Sequence, residues 1–171
     1  DAKGNPVVDA NTVKQGALGD CYLIAGCAAV ARADPSQIPK IIKDNGNGTF
    51  DVTLYLRESW TSSPVPVTRT IDAQLPTKGG KNPLYAGLGK QTEEGDELWT
   101  ALIEKRLAQE TGSYDLISGG NINKHVKFAG VGELLTGKAD KRINFKTMND
   151  DKVLHLIDRA LKEHRPIQTG S

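Results

Sequence analysis

Apolar and polar positions alternate with a period of two in two neighbouring stretches of this chain, residues 50–56 and 65–71. Such alternation predicts strands that bury one face. The sequence Asn-Gly-Asn-Gly at 45–48 is a strong turn signal before the first stretch. A loop rich in Ser and Pro, residues 59–64, separates the two stretches. We therefore predict an antiparallel pair of strands.

Apolar residues recur at helical spacing in three longer stretches. Asp34-Pro35 should end the first of them, Gly112 should follow the second, and Arg165-Pro166 should end the third. The predicted elements are helices over Cys21 to Ala33, through Ile38, Ile41 and Ile42, and over about 95–110, 122–129 and 149–164, with a long surface loop over 76–96.

Candidate chemistry is concentrated where the first helix begins. A loop with two glycines, Gly16 and Gly19, leads into it, and Asp20 occupies the position of an N-cap. Cys21 then falls in the first helical turn, near unpaired N–H groups and the positive end of the helix dipole. Both favour a thiolate, so the pattern indicates a nucleophilic cysteine.

Gln15 lies six residues before Cys21. In an acyl-transfer site, a side-chain amide and the backbone N–H of the nucleophile can together stabilise the developing oxyanion. The two-glycine loop would allow both donors to reach one oxygen. From the spacing alone, a buried and inert cysteine that only packs the helix stays the alternative.

The nucleophile stretch, Gln-Gly-Ala-Leu-Gly-Asp-Cys-Tyr-Leu-Ile-Ala, resembles the calpain-like cysteine proteases, which usually have Trp-Phe-Leu where this chain has residues 22–24. Residues 97–105, and then 112–120, resemble the family's helix and its Gly-Ser-Tyr…Ser-Gly-Gly segment. Ile-Asp-Ala-Gln-Leu-Pro at 71–76 resembles a further family stretch. The stretches follow the family's order.

This resemblance implies an α+β fold: the first lobe of a papain-like cysteine protease, mainly helical around a central helix that carries Cys21, with a small antiparallel β element. Residues 1–14 would be an extended lead-in, 15–165 the lobe, and 166–171 the start of a second lobe. In the family, that lobe carries a His and an Asn. We expect it to be missing here, which would leave the fragment inactive alone.

The implied activity is that of an endopeptidase, which hydrolyses protein or peptide substrates through a Cys thioester. The implied catalytic residues are Cys21 and Gln15. Gly119 and Gly120 match a family segment that hydrogen-bonds the substrate backbone, and the missing side chains would allow close approach. None of the three histidines falls in a segment that matches the family's base, and each is expected at a surface or helix-end position: His125, His155 and His164.

No metal or other cofactor is predicted. Calpains proper bind calcium in this lobe, through backbone carbonyls, an Asp nine residues before the Cys and an acidic residue on a later helix. Here Glu97 matches that acid, but Thr12 stands where the Asp is expected. Calcium requires six to eight oxygen ligands, several of them charged, and the loss of one carboxylate argues against the site.

Composition, charge and cysteine positions limit which binding partners, disulfides and compartments we expect. The 171 residues are 37% hydrophobic and 25% charged, with a net charge of +1, which gives no reason to expect binding to nucleic acid or a membrane. Cys21 and Cys27 lie on different faces of one helix, so a mutual disulfide is not expected. We find no signal peptide and expect a cytoplasmic protein or part of a secreted effector.

Two other functions stay open from the sequence. The lobe could serve as a non-catalytic module that binds a peptide or protein, or the nucleophile could serve a papain-fold transferase or deamidase. The short, glycine-rich chain favours a bacterial effector or toxin domain, for which an inhibitor or immunity-type protein would be a partner. A Gly-His-Ala-like segment beyond Ser171 in the parent protein would favour the protease.

Overall fold

The computed structural model describes residues 8–80, 82–88, 91–92 and 95–168. Within these residues the chain combines α-helices with a small antiparallel sheet, so the predicted α+β class is confirmed. The α-helices are α1 (Cys21–Ala33), α2 (Gln37–Ile41), α3 (Trp99–Thr111), α4 (Val131–Thr136) and α5 (Asp150–Lys162), and short 3₁₀ helices cover Ala10–Thr12, Asp115–Lys124 and Phe145–Thr147.

The main sheet has three strands in the order β1 (Ile42–Asp44), β2 (Thr49–Leu56) and β3 (Val65–Asp72), and each neighbouring pair is antiparallel. The predicted pair corresponds to β2 and β3. One face of β2 is buried through Val52 and Leu54, as the alternation requires. The additional strand β1 begins at Ile42, which the sequence pattern assigned to the preceding helix.

Helix α1 passes through the middle of the core and packs against α4 and α3. Gly26 allows the close approach to α4, because a Cβ at this position would lie 2.3 Å from Val131 Cβ. Helix α3 ends where Gly112 adopts a φ of 101° and donates its N–H to Ala108 O, as predicted. The fully buried apolar residues of α3 are Ile103 and Leu107, with Trp99 and Leu102 at 2% exposure.

Two arginines, each in an ion pair with a buried member, connect helices to the sheet region. Arg57, just after β2, donates from Nε to Oε1 of the fully buried Glu133 on α4 at 2.7 Å, and from Nη2 to Oε2 at 2.5 Å. Arg106 of α3 binds Glu110 at 2.8 Å and also donates to the carbonyl of Val52 in β2. Each arginine therefore ties a helix to the sheet.

Two predictions about local structure need correction. The 76–96 stretch is not only loop, since it contains two short antiparallel ladders, β4 (Thr77–Lys78) with β5 (Asn82–Pro83) and β6 (Gln91–Thr92) with β7 (Gly95–Asp96). The helix expected at 122–129 is instead the end of the 3₁₀ helix Asp115–Lys124, and α4 follows it. The helix predicted over about 149–164 is confirmed as α5, which has no buried residue.

None of the helices in the described part of the chain is both long enough and apolar enough to span a membrane.

Candidate active site

Cys21 is the first residue of α1, and its side chain is exposed to solvent. Asp20 precedes it, and the carbonyl of Asp20 accepts the N–H groups of Leu23 at 2.8 Å and Ile24 at 3.2 Å. Among the described residues, no backbone carbonyl accepts the N–H of Cys21. The thiol and a backbone donor are therefore presented together at the positive end of the helix.

The side chain of Asp20 does not cap α1, although Asp20 has the N-cap position. The carboxyl group turns inward and is fully buried, where it faces Glu104 of α3. Neither carboxyl oxygen has a hydrogen-bond partner in the structure. The predicted N-cap position of Asp20 is confirmed, but its side chain makes no capping hydrogen bond.

The loop before Cys21, residues 14–20, is called the nucleophile loop here. On one side it hydrogen-bonds with the backbone of the segment that follows β5. Gly87 donates its N–H to Lys14 O at 2.9 Å, and Ala17 donates to Leu84 O at 3.0 Å. We call residues 84–87 the supporting segment, since these bonds fix the path of the loop.

Gly16 lies where the nucleophile loop and the supporting segment are closest. A Cβ at this position would be 1.7 Å from the carbonyl oxygen of Tyr85, which is backbone and cannot move without displacing the supporting segment. The glycine is therefore required by contact with a neighbouring chain segment rather than by its own backbone angles.

The other side of the nucleophile loop contacts the 3₁₀ helix Asp115–Lys124. Gly119 has a φ of 70° and donates its N–H to Gly19 O at 2.8 Å. Nearby, the hydroxyl of Tyr22 donates to Ile117 O at 3.0 Å. The N–H of Gly119 thus supports the loop itself, and a role of Gly119 and Gly120 in binding a substrate backbone stays a prediction.

Gln15 is an exposed residue of the nucleophile loop. Its Nε2 atom donates to Leu18 O at 2.8 Å, across the turn that leads to Cys21. A side-chain amide has two N–H groups, and this bond uses one of them. The bond holds the amide against the loop and leaves a second donor for an acceptor such as a substrate oxygen.

Cys27 lies two turns further along α1 and is fully buried. Desolvation raises the pKa of its thiol, and the nearby Asp20 and Glu104 carboxyl groups raise it further. A buried thiol with a raised pKa is slow to react, so this cysteine is a packing residue.

We expect Cys21 to be alkylated well before Cys27, because one thiol is exposed and the other is buried with its thiolate disfavoured. Limited treatment of the folded chain with iodoacetamide, followed by peptide mass mapping, measures this directly. Labelling in denaturant, where both thiols should react alike, is the control. Preferential labelling of Cys27 in the folded chain would contradict the assignment.

The three histidines are all exposed. His125 follows the 3₁₀ helix Asp115–Lys124, His155 lies on α5, and His164 lies just after α5 with a φ of 49°. The structure records no hydrogen bond from a histidine side chain among the described residues. Their surface and helix-end positions agree with the prediction from the sequence.

Thr12 and Glu97 meet beside the 3₁₀ helix Ala10–Thr12. The Thr12 hydroxyl contacts Glu97 Oε2 directly, and the N–H of Asp9 donates to Glu97 Oε1 at 3.0 Å. The Asp9 carboxylate accepts from Asn11 instead. Both Glu97 oxygens accept from protein donors, and Thr12 adds no carboxylate beside them. That this lobe binds no calcium stays a prediction.

Sequence reasoning missed several residues that shape the site. Glu104 had one available signal, since it falls within the apolar stripe of α3 between Ile103 and Leu107. Nothing in the local sequence indicated that Gln168, near the end of the described chain, donates its Nε2 to Tyr22 O at 2.8 Å. Within the described residues, no group of three or more His, Cys, Asp or Glu side chains is arranged to hold a metal ion.

Comparison with known proteins gives one consistent result. The sequence model of the calpain family of cysteine proteases matches residues 6–169. Mouse (Mus musculus) calpain-8 is 33% identical over 114 residues, which cover 64% of this chain and 15% of calpain-8. The calpain-1 catalytic subunit of Bos taurus is 32% identical over 127 residues, 69% of this chain and 16% of that protein.

The calpain-2 catalytic subunit of Gallus gallus is 35% identical over 113 residues, which cover 62% of this chain and 14% of that subunit. The chain therefore spans about 15% of the length of the curated relatives that it matches.

Proposed function

Because this chain belongs to the calpain family of cysteine proteases, we propose that it carries the nucleophile of a cysteine endopeptidase, and that this nucleophile is Cys21. The observation that carries the proposal is the presentation of the thiol: Cys21 is exposed at the first residue of α1, after a loop that is hydrogen-bonded on both sides. A rigidly held, accessible thiol at a helix N-terminus is suited to nucleophilic attack.

In the proposed reaction, the Cys21 thiolate attacks the carbonyl carbon of the scissile peptide bond. The C–N bond then breaks, the amine leaves with a proton, and the acyl group remains on sulfur as a thioester. Attack by water on the thioester releases the carboxylic acid and restores the thiol. The substrates are therefore proteins or peptides.

Two donors are proposed for the oxyanion that forms in both steps. One is the N–H of Cys21, which has no backbone acceptor within the described residues. The other is the second amide N–H of Gln15, whose first is bound to Leu18 O. That bond orients the amide before substrate arrives, and a donor oriented in advance requires no reorganisation in the transition state.

The proton of the thiol needs an acceptor. The family resemblance implies a His oriented by an Asn, both on a second lobe that faces the first across the site. We propose that this lobe is the partner of the present chain in catalysis, and we assign no base among His125, His155 and His164. Thr12 lies beside Glu97 and offers no carboxylate, which supports a lobe that acts without calcium.

The experiment that tests this function is digestion of an unfolded protein by the full-length protein that contains this chain. We expect new N-termini, identified by mass spectrometry, and we expect prior alkylation of Cys21 to prevent them. The same digestion with excess calcium and with a calcium chelator should give equal rates. Absence of cleavage, or cleavage that survives alkylation of Cys21, would reject the proposal.

Replacing Gln15 by Ala should lower kcat in the same assay by on the order of 100-fold, the usual cost of one oxyanion donor. KM should change little, because the interaction strengthens only in the transition state. Gln15→Glu is the matched variant: it keeps the length of the side chain but removes the donor, so it should be as slow. A rate within a few-fold of the parent would exclude Gln15 from the oxyanion site.

A further inference from the structure

Two buried carboxyl groups face each other beside the nucleophile loop. Asp20 is fully buried, and Glu104 of α3 is 2% exposed. The two side chains are within hydrogen-bonding reach of each other. Glu104 Oε2 accepts the N–H of Ala86 at 2.9 Å. If both groups were ionised, three carboxylate oxygens would have no hydrogen-bond donor: both oxygens of Asp20 and Oε1 of Glu104.

A single proton on the pair would supply the missing hydrogen-bond donor. Two buried carboxylates without donors would lose their hydration and also repel each other, which is costly inside a protein. A protonated Glu104 becomes a donor and gives its hydrogen bond to the Asp20 carboxylate. Burial raises the pKa of both groups, and for Glu104, which also faces the charge of Asp20, it rises to about 8.

In the described part of the chain, no positive charge faces the pair that would stabilise two carboxylates. On α3 the neighbouring cations are engaged elsewhere, Lys105 with Asp72 and Arg106 with Glu110. Among the described residues, the titratable groups that face the pair are Tyr22 and Cys27 of α1 and Tyr114, and each has a pKa raised by burial and by the charge of one or both members of the pair. Cys21 is adjacent to Asp20 in the chain, and the ring of Tyr85 stacks on that of Tyr114 at 4.3 Å.

We propose that Asp20 and Glu104 share one proton and act as a positioning pair, which holds the start of α1 and the supporting segment together on the nucleophile loop. Asp20 is covalently next to Cys21, and Glu104 binds Ala86 of the supporting segment through its other oxygen. The pair thus connects the last residue of the nucleophile loop to the supporting segment, which hydrogen-bonds with Lys14 and Ala17 of the same loop. Only the statement that the pair positions a nucleophile rests on the proposed function.

This arrangement predicts a particular pH dependence. The folded state holds a proton on Glu104 at pH values where the unfolded chain, with an ordinary pKa near 4.5, has released it. The stabilising effect of that proton is complete below about pH 4.5 and is lost as the pH rises towards about 8. Acids with lowered pKa values, such as Glu133 and Glu110, are already ionised throughout this window and do not obscure it.

The test compares the chain with Glu104→Gln, Glu104→Ala and Glu133→Gln. In Glu104→Gln the new side-chain amide can donate to Asp20 and accept from Ala86, so this variant should fold well at every pH from 5 to 8. Glu104→Ala should be destabilised, because it leaves Asp20 without a donor. Glu133→Gln is the matched control: it removes the charge from another buried glutamate, one that binds Arg57, and should be destabilising where Glu104→Gln is not.

Two measurements report the protonation state of Glu104. The amide resonance of Ala86, whose N–H binds Glu104, should titrate with a midpoint near pH 8 in the parent chain and not in Glu104→Gln. Between pH 5 and pH 8, the unfolding equilibrium constant of the parent should rise relative to that of Glu104→Gln by on the order of 10²-fold or more, since one proton gives up to tenfold per pH unit. The exposed histidines cancel in this comparison.

A parent chain and Glu104→Gln variant with the same pH dependence would overturn the proposal, and so would an Ala86 resonance that does not titrate. Equal destabilisation by Glu104→Gln and Glu104→Ala at pH 6 would overturn it as well. These measurements do not require peptidase activity. A positive result without peptide cleavage would therefore reject the proposed function and keep the proton-sharing pair.

Discussion

Replacing Cys21 by Ala in the full-length protein is expected to reduce peptide hydrolysis by on the order of 10⁴-fold or more, because it removes the atom that forms the thioester. The residual rate would come from the oxyanion donors and from substrate binding alone. Substrate affinity should be nearly unchanged, since the exposed Cys21 side chain contributes little to packing. Steady-state kinetics on a fluorogenic peptide would measure both parameters.

Cys27→Ala is the matched control for this experiment. It removes the same chemical group from the same helix, but from a fully buried position. We expect it to lower the free energy of unfolding while leaving kcat unchanged in the folded enzyme. If Cys21→Ala retained activity while Cys27→Ala lost it, the exposed thiol would not be the nucleophile.

The position of Cys21 could be predicted from the sequence because local signals agree there. Asp20 and the preceding glycines mark a helix start, and Asp34-Pro35 marks its end, so α1 runs from Cys21 to Ala33 as expected. The strands β2 and β3 were predictable for a similar reason, since alternation over several residues leaves one consistent choice of buried face.

Elements that depend on tertiary contacts could not be predicted in the same way. Helix α4 has only six residues, too few for a helical period to be visible, and its position depends on the contact of Val131 with Gly26. Ladders of two residues, as in β4 and β5, have no alternation to detect. Helix α5 shows the opposite case, because its amphipathic pattern predicts the helix but not what would cover its apolar face.

The candidate site likewise has residues that local sequence predicts and residues that depend on tertiary contacts. The sequence supplied Cys21 and Gln15 through spacing, and the structure adds how the loop between them is held. The pairing of Asp20 with Glu104 joins segments far apart in the chain, so no local pattern could indicate that the Asp20 carboxyl would turn inward instead of capping α1. That capping was the natural expectation from the sequence, since Asp is a preferred N-cap residue.

We further expect the 171-residue chain alone to hydrolyse peptides about 10²–10⁴-fold more slowly than the full-length protein, the usual contribution of a general base. The thiol would be present in both, but the proposed His and Asn would be present only in the longer protein. A helix N-terminus favours the thiolate without accepting the proton that must be returned to the leaving amine. Turnover of a fluorogenic peptide by equal concentrations of the two proteins measures the ratio.

The three histidines of this chain provide the decisive comparison. All are exposed, and they follow the 3₁₀ helix Asp115–Lys124 or lie on or just after α5. Replacing His125, His155 and His164 together by Ala in the full-length protein should therefore leave kcat within about two-fold, the change expected when no group in the transition state is removed. Comparable Cys21-dependent turnover by the short and long proteins would instead mean that the base lies within these 171 residues. The single histidine variants would then identify it, and the family assignment of the region after α3 would have to be revised.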